Sequence, residues 1–275
     1  MNLKNYFNKS IILLGNTNLG LKFYNKVLNL CFSSISVIEY HSISLKFSTP
    51  NILTKWRVDT FSSKEPETLN WIEKFNDNAI LWDIGANVGL YSIYAALKKN
   101  TKVYSFEPSV FNLELLARNI FLNNLSDSIT IIPLPLSNEI EENKLKLITT
   151  EWGGALSTFG KDFGWDGNKL NSLFEFKTIS ISMDQMITLL KIPSPDYIKM
   201  DVDGIEHFIL KGGNEVLKNV KSVLIEINDD FEEQSNLCQL YLKEAGLRLE
   251  TKEHSEISGN SNSAFKNSYN QIWTR

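Results

Sequence analysis

Two clusters of residues in this 275-residue chain are spaced for chemistry. The first is Asp83-Ile84-Gly85-Ala86-Asn87-Val88-Gly89, where an apolar run enters a turn of small residues and leaves as a helical pattern. Gly85 and Gly89 carry no Cβ, so a ligand can approach the backbone, and the unpaired N–H groups of the next helix point toward it. A dinucleotide fingerprint would read G-x-G-x-x-G and seat a diphosphate on the helix N-terminus. Here the spacing is Gly85-x-Asn87-x-Gly89 with Asp83 just ahead, and an acid in that place repels phosphate and attracts a cation. S-adenosylmethionine, which carries a sulfonium and an α-ammonium, is a nucleoside ligand of that charge. Glu107, 18 residues after Gly89, ends the next apolar run, where a carboxylate can accept hydrogen bonds from both ribose hydroxyls. Taken singly, Asp83 or Glu107 could equally cap the helix that follows it.

The second cluster is Ile198-Lys199-Met200-Asp201-Val202-Asp203-Gly204-Ile205-Glu206. Asp201 falls at the carboxyl end of a core strand, the end that faces the crevice in an open α/β sheet. Asp203 and Glu206 follow within a turn, and Glu226 and Asn228 end the next strand. Converging acids raise one another's pKa, so one of them can take a proton from a substrate hydroxyl. We read Asp201 as that base, with Asp203 and Glu226 as supporting or alternative acids. The bland reading is that Asp201 and Glu226 cap helices or pair with Lys199 or Lys211. A divalent metal on Asp201, Glu226 and Asn228 is the less favoured alternative. His207 could share the proton work, although a lone helical histidine is more often a packing residue. His41 and His254 have no acidic or histidine partner at ligand spacing.

These residues need a scaffold. Short apolar runs at residues 79–84, 101–106, 129–136, 196–200 and 222–227 alternate with helical patterns at 89–99, 110–123, 205–220 and 234–245. Strands separated by helices imply βαβ crossovers and a parallel sheet, hence an α/β fold. Residues 1–78 read as an N-terminal cap holding a β-hairpin at 36–39 and 42–47 and a helix at 68–75. The main domain is expected over 79–275. The rhythm breaks at 137–195, an expected insertion with a strand near 176–181; its Trp152, Gly153, Gly154, Ser157 and Trp165 suit a sugar or macrocycle acceptor, or simply a core. Residues 247–250 and 271–274 flank a Ser/Asn-rich loop and predict a closing hairpin.

Composition excludes other classes. With 43% apolar and 22% charged residues, disorder and small disulfide scaffolds are out. The net charge of −4, without a strongly basic segment, disfavours nucleic-acid partners. Cys31 and Cys238 lie far apart without metal-ligand spacing, so two reduced thiols in a cytoplasmic protein are expected. Gly15 and Asn16 end the run Ile11-Ile12-Leu13-Leu14 well short of a signal-peptide core, and no apolar stretch is long enough to span a bilayer.

The motifs taken together resemble the FkbM-type S-adenosylmethionine-dependent methyltransferases. The matching blocks are the Asp83–Gly89 turn, Phe106-Glu107-Pro108, Leu136-Ser137-Asn138, the segment from Ile198 to Glu206, Leu210-Lys211-Gly212-Gly213 and Ile225-Glu226-Ile227. The likeness covers residues 79 to about 246, and Asn270 to Arg275 more loosely. It implies a Rossmann-like class I methyltransferase with a mostly parallel seven-stranded sheet, helices on both faces and a last antiparallel strand. It also implies O-methylation of hydroxyls on sugars, glycans or polyketide-type metabolites, with Asp83, Gly85, Ala86, Asn87, Gly89, Glu107, Pro108, Leu136, Ser137 and Asp201 around the cofactor. Where the family usually has Asp-Val-Glu-Gly-Ala-Glu, this chain has Asp203 and Ile205, and the shorter acid loses reach. An NAD-dependent oxidoreductase and a non-catalytic S-adenosylmethionine-binding module are the rival readings. A base-modifying N-methyltransferase would need an Asn/Asp-Pro-Pro-aromatic motif, which Asp201-Val202-Asp203-Gly204 is not.

Overall fold

The computed structural model describes residues 3–254 and 265–275. The chain opens with helices α1 (Leu3–Gly15) and α2 (Asn18–Phe32), the hairpin β1 (Ile35–Tyr40) and β2 (Ile43–Ser48), and helices α3 (Ile52–Asp59), α4 (Phe61–Lys64) and α5 (Pro66–Glu73). The βα alternation then follows as β3 (Ile80–Ile84), α6 (Leu90–Lys99), β4 (Lys102–Phe106), α7 (Val110–Leu122) and β5 (Ile129–Ile132). The expected strand at 129–136 stops early because Pro133 and Pro135 cannot donate to a ladder.

The region 137–195 holds β6 (Glu142–Leu147), β7 (Thr158–Phe159) and β8 (Phe174–Ile179), an antiparallel sheet in the order β7-β6-β8, and then α8 (Met183–Thr188). The core resumes with β9 (Tyr197–Met200), α9 (Glu206–Lys211), α10 (Asn214–Leu217), β10 (Ser222–Asn228), α11 (Glu232–Glu244), β11 (Arg248–Glu253) and β12 (Ser268–Thr274). A single helix was expected at 205–220, but Gly212 and Gly213 break it. A Cβ on Gly212 would lie 2.6 Å from the Ser137 carbonyl oxygen, and one on Gly213 would collide with the Met183 side chain. The two glycines let this segment dock against α8.

The main sheet has seven strands in the order β11-β12-β10-β9-β3-β4-β5. β12 is antiparallel to both neighbours, and β10, β9, β3, β4 and β5 are mutually parallel. One face packs α8 to α11 through Met183, Ile209, Leu217 and Leu242. The other packs α5 to α7 through Ile72, Ile93 and Leu116, and Leu45 and Phe47 of β2 join the same cluster. The N-terminal hairpin thus shares the core of the sheet. Chain order reverses between β3 and β9, which opens a crevice at their carboxyl ends.

Trp71 ties α5 to the sheet: its indole Nε1 donates to Ser222 Oγ at 2.9 Å, and that hydroxyl donates to the Trp273 carbonyl at 2.9 Å. Trp71→Phe is expected to cost about 1–3 kcal/mol in urea unfolding, from the lost hydrogen bond and lost volume.

Candidate active site

At the crevice lies a cavity of about 300 Å³ lined from several separate stretches of the sequence. Gly85 and Asn87 come from the turn after β3, Glu107 and Pro108 from the end of β4, and Asp201 and Asp203 from the end of β9. Glu226 comes from β10, residues 154–157 from the insertion, and Arg57, Lys64 and Glu65 from the N-terminal helices. Phe106, Leu134, Leu136, Leu145 and Phe159 supply an apolar wall.

The glycines of the first cluster serve backbone packing. Gly85 (φ +86°) sits where a Cβ would collide with the Asp201 carbonyl oxygen, and Gly89 (φ +85°) where it would press on Leu116 at 2.5 Å. Their absence of side chains brings the turns after β3 and β9 together and seats α6 against α7. Asn87 also adopts positive φ (+51°), and its backbone N–H donates to Glu107 Oε2 at 2.8 Å. Glu107 Oε1 accepts the Ser109 N–H at 2.8 Å, and burial still pushes the carboxyl up to about 7. Ala86 lines a small recess beside the cavity with Lys64, Tyr91 and Lys199. Asp83 does not line the cavity: it is buried behind the turn, accepts from Ser92 Oγ at 2.5 Å, and pairs in register with Lys199 of the neighbouring strand. Its Oδ1 has no hydrogen-bond partner, and burial raises its pKa. The cation beside Asp83 is thus a side chain of the same sheet.

Lys199 organises the acids. Its ammonium is buried, lies 3.4 Å from Asp201 Oδ2 and 5.1 Å from the centre of the Tyr91 ring, and has a raised pKa despite desolvation because Asp201, Glu65, Asp83 and Glu226 surround it. Asp201 is driven down to about 2 against its own burial by Lys199 and Lys64. Glu226, hydrogen-bonded to Asp201, is raised well above the usual range by burial and by that neighbour's charge, so the pair holds one proton. Asp203, at φ +62°, accepts N–H bonds from Leu156 (2.7 Å) and Ser157 (3.2 Å), and burial with the charges of Asp201 and Glu206 pushes it up to about 7. The shorter acid therefore reaches the insertion loop instead of projecting further into the cavity.

The loop is held on its other side as well. Asn87 Nδ2 and Asn112 Nδ2 both donate to the Gly154 carbonyl (2.7 and 3.0 Å), the Gly153 N–H donates to Asn112 Oδ1 (3.0 Å), and Arg57 Nε donates to the Gly153 carbonyl (2.6 Å). Trp152 packs edge-on against Phe32 at 4.8 Å, so Trp152 and Gly153 fasten the loop while Ser157 lines the cavity. Ser137 is buried and lies outside the lining, next to Leu136, which is part of it. His207 is also outside: both ring nitrogens are buried without partners, its ring lies 4.1 Å from Phe208, and burial lowers its pKa to about 4. Asn228 is turned to the Trp165 carbonyl (3.4 Å) and is not brought to Asp201 and Glu226. Among the described residues no group of three or more His, Cys, Asp or Glu side chains is placed to hold a metal ion. Arg57, Lys64, Glu65 and Asn112 escaped the sequence reading; Lys199 was visible as a lone charge in an apolar strand.

The strand order with its antiparallel β12, and a cavity at the point of chain reversal, define a Rossmann-like α/β fold with its site at the topological switch point. Residues 83–256 match the Methyltransferase FkbM domain, and the chain belongs to that family. It is 24% identical over 193 residues to the hexuronic acid methyltransferase AglP of Haloferax volcanii, which spans 70% of this chain and 74% of that protein. Methyltransferase sdnD of Sordaria araneosa is 28% identical over 181 residues, 56% of this chain and 68% of that one. Among solved structures, M. jannaschii TYW2 in complex with AdoMet superposes with a TM-score of 0.46 at 12% identity, covering 88% of this chain and 86% of that one. Precorrin-6y C5,15-methyltransferase from Geobacter metallireducens gives 0.43 at 14% identity, covering 77% and 86%.

Asp203 yields a stability test. Its folded pKa of about 7 stands above its usual 3.8, so the folded state holds the proton longer and stability from this group falls as pH rises through that window. Asp203→Asn keeps an oxygen for the two loop amides and removes the charge. The variant is expected to melt about 2–4 °C higher near pH 8, with the gain vanishing toward pH 4, by scanning calorimetry.

Proposed function

We propose that this enzyme transfers a methyl group from S-adenosylmethionine to a hydroxyl of a sugar or glycan acceptor, in the cytoplasm. The observation that carries the reading is the charge layout of one cavity, with a buried carboxylate framed by backbone amides at one end and the Lys199-ordered acids at the other. S-adenosylmethionine, when bound, supplies a methyl group activated by its sulfonium. In the lining Glu65 and Asp201 are held ionised and Glu107 and Asp203 titrate near neutrality, against Arg57 and Lys64, which leaves a slight negative excess for such a cation. Glu107 would hold the ribose: each oxygen accepts one backbone N–H and keeps a lone pair for a hydroxyl. Phe106, Leu134 and Leu136 would flank the adenine, and Gly85 and Asn87 the amino-acid tail.

The acceptor hydroxyl must be held in line and lose a proton. Alignment can supply up to roughly 7–11 kcal/mol and a positioned base about 10²–10⁴-fold. The sequence favoured Asp201 as that base, but an acid driven down to about 2 attracts a proton weakly. Asp203, pushed up to about 7, suits proton removal at neutral pH. We therefore assign Asp203 as the base, Asp201 as the ionised acceptor that orients the hydroxyl, and Glu226 as its proton-bearing neighbour. The hexuronic acid specificity in the name of the Haloferax relative supports a sugar acceptor.

Glu107→Ala should weaken S-adenosylhomocysteine binding about 10–100-fold by calorimetry, the loss of two charged hydrogen bonds; unchanged affinity removes the ribose assignment. Asp203→Asn should retain that affinity and lower kcat at least about 10²-fold. In the native enzyme kcat should rise with pH through about 7, as the base ionises. If Asp201→Asn abolishes that limb while Asp203→Asn keeps near-native turnover, the base is Asp201.

A further inference from the structure

Helices α1 and α2 contribute no residue to the cavity lining, and their surface is anomalous. Among the described side chains of α1 and α2 only Gly20 is buried. Phe7, Ile12, Leu13, Leu19, Phe23 and Leu30 are each more than half exposed. Monomeric proteins rarely expose apolar surface so densely. The helices form a built unit: the Tyr24 hydroxyl donates to the Ile11 carbonyl, and a Cβ on Gly20 would collide with the Leu14 backbone.

Charge says what covers this surface. Residues 1–38 contain Lys4, Lys9, Lys22 and Lys26 and no acid, whereas the rest of the chain carries 24 Lys and Arg against 32 Asp and Glu. Helical spacing puts Asn18, Lys22, Asn25, Lys26 and Asn29 on one stripe of α2 and its apolar residues on the remaining arc. A basic stripe beside a broad apolar arc is the pattern of a helix lying in the headgroup layer of an anionic bilayer. A second copy fits worse, because a symmetric contact between two such hairpins sets lysines against lysines. Nor is the hairpin a span: the helices have 13 and 15 residues, and among the described residues no helix is long and apolar enough to cross a membrane.

We propose that α1 and α2 form a peripheral anchor that seats the enzyme on a membrane surface bearing anionic lipids, lysines toward the phosphates and apolar side chains in the interfacial layer. The acidic body is repelled by the same surface, which orients the molecule. The anchor joins the body beside the cavity: Phe32 at the end of α2 touches Trp152 and lies under the Arg118 guanidinium at 4.3 Å, and the loop that Trp152 begins lines the site. Docking therefore presents the cavity to acceptors held at the membrane.

The test is co-sedimentation of the full chain with phosphatidylcholine vesicles with and without phosphatidylglycerol. Binding should be at least about tenfold stronger on the anionic vesicles and fall with salt. The triple variant Lys9→Glu, Lys22→Glu, Lys26→Glu should lose it, as should Phe7→Ser, Leu13→Ser, Phe23→Ser. Both should keep native S-adenosylhomocysteine affinity, since none of these residues lines the cavity. Equal binding to neutral vesicles, or a full chain that stays in solution with both, overturns the proposal. A dimer in sedimentation velocity that the serine variant abolishes, without vesicle binding, assigns the face to a second copy.

Discussion

Lys199 stands on a central strand with its ammonium enclosed by acids from β3, β9, β10 and the helical segment before the sheet, and the site is organised around that one buried charge. An isolated ammonium there would tend to neutralise, because burial disfavours the charged form. Four acids reverse that tendency, and the attraction is mutual: Asp201 stays ionised while Glu226, next in line, is forced to keep a proton. A gradient of proton affinity across adjacent carboxylates follows, with Asp201 at the bottom and Asp203 near neutrality. Acid and base roles separate without any histidine in the cavity lining.

The family match begins at Asp83, yet Arg57, Lys64 and Glu65 line the cavity from before it. Lys64 pairs with Glu65 at 2.5 Å and lends charge to Asp201, and Glu67 of the following helix accepts from Asn270 of β12 at 2.6 Å. Segments on both sides of the sheet's midpoint are therefore joined through polar contacts at its carboxyl end. The part of the chain outside the matched domain completes the pocket.

Much of the architecture was legible because β3, β4, β9 and β10 are short apolar runs set between helical patterns and turn residues. Misreadings occurred where a local rule met a tertiary one, as at Pro133 and at the Gly212-Gly213 break. β6 was missed: Glu142, Lys144 and Lys146 alternate with Asn143 and the buried Leu145 and Leu147, and two leucines in a charged stretch read as a polar loop. At the site, the acids at strand ends were legible because strand termini and acids coincide in sequence. Lys64 and Glu65 were not, since the charges that tie their own ion pair to the site, Asp201 and Lys199, lie far along the chain and leave no periodic trace. Asp83 stands opposite a lysine on another strand, a partner that no local spacing shows.

The segment from Gly153 to Ser157 is tethered on one flank by Asn87, Asn112 and Arg57 and on the other by Asp203. The second tether is charge-assisted only while that carboxylate is ionised. Protonation of Asp203 would slacken the loop on that side alone and leave the Asn87, Asn112 and Arg57 tethers in place.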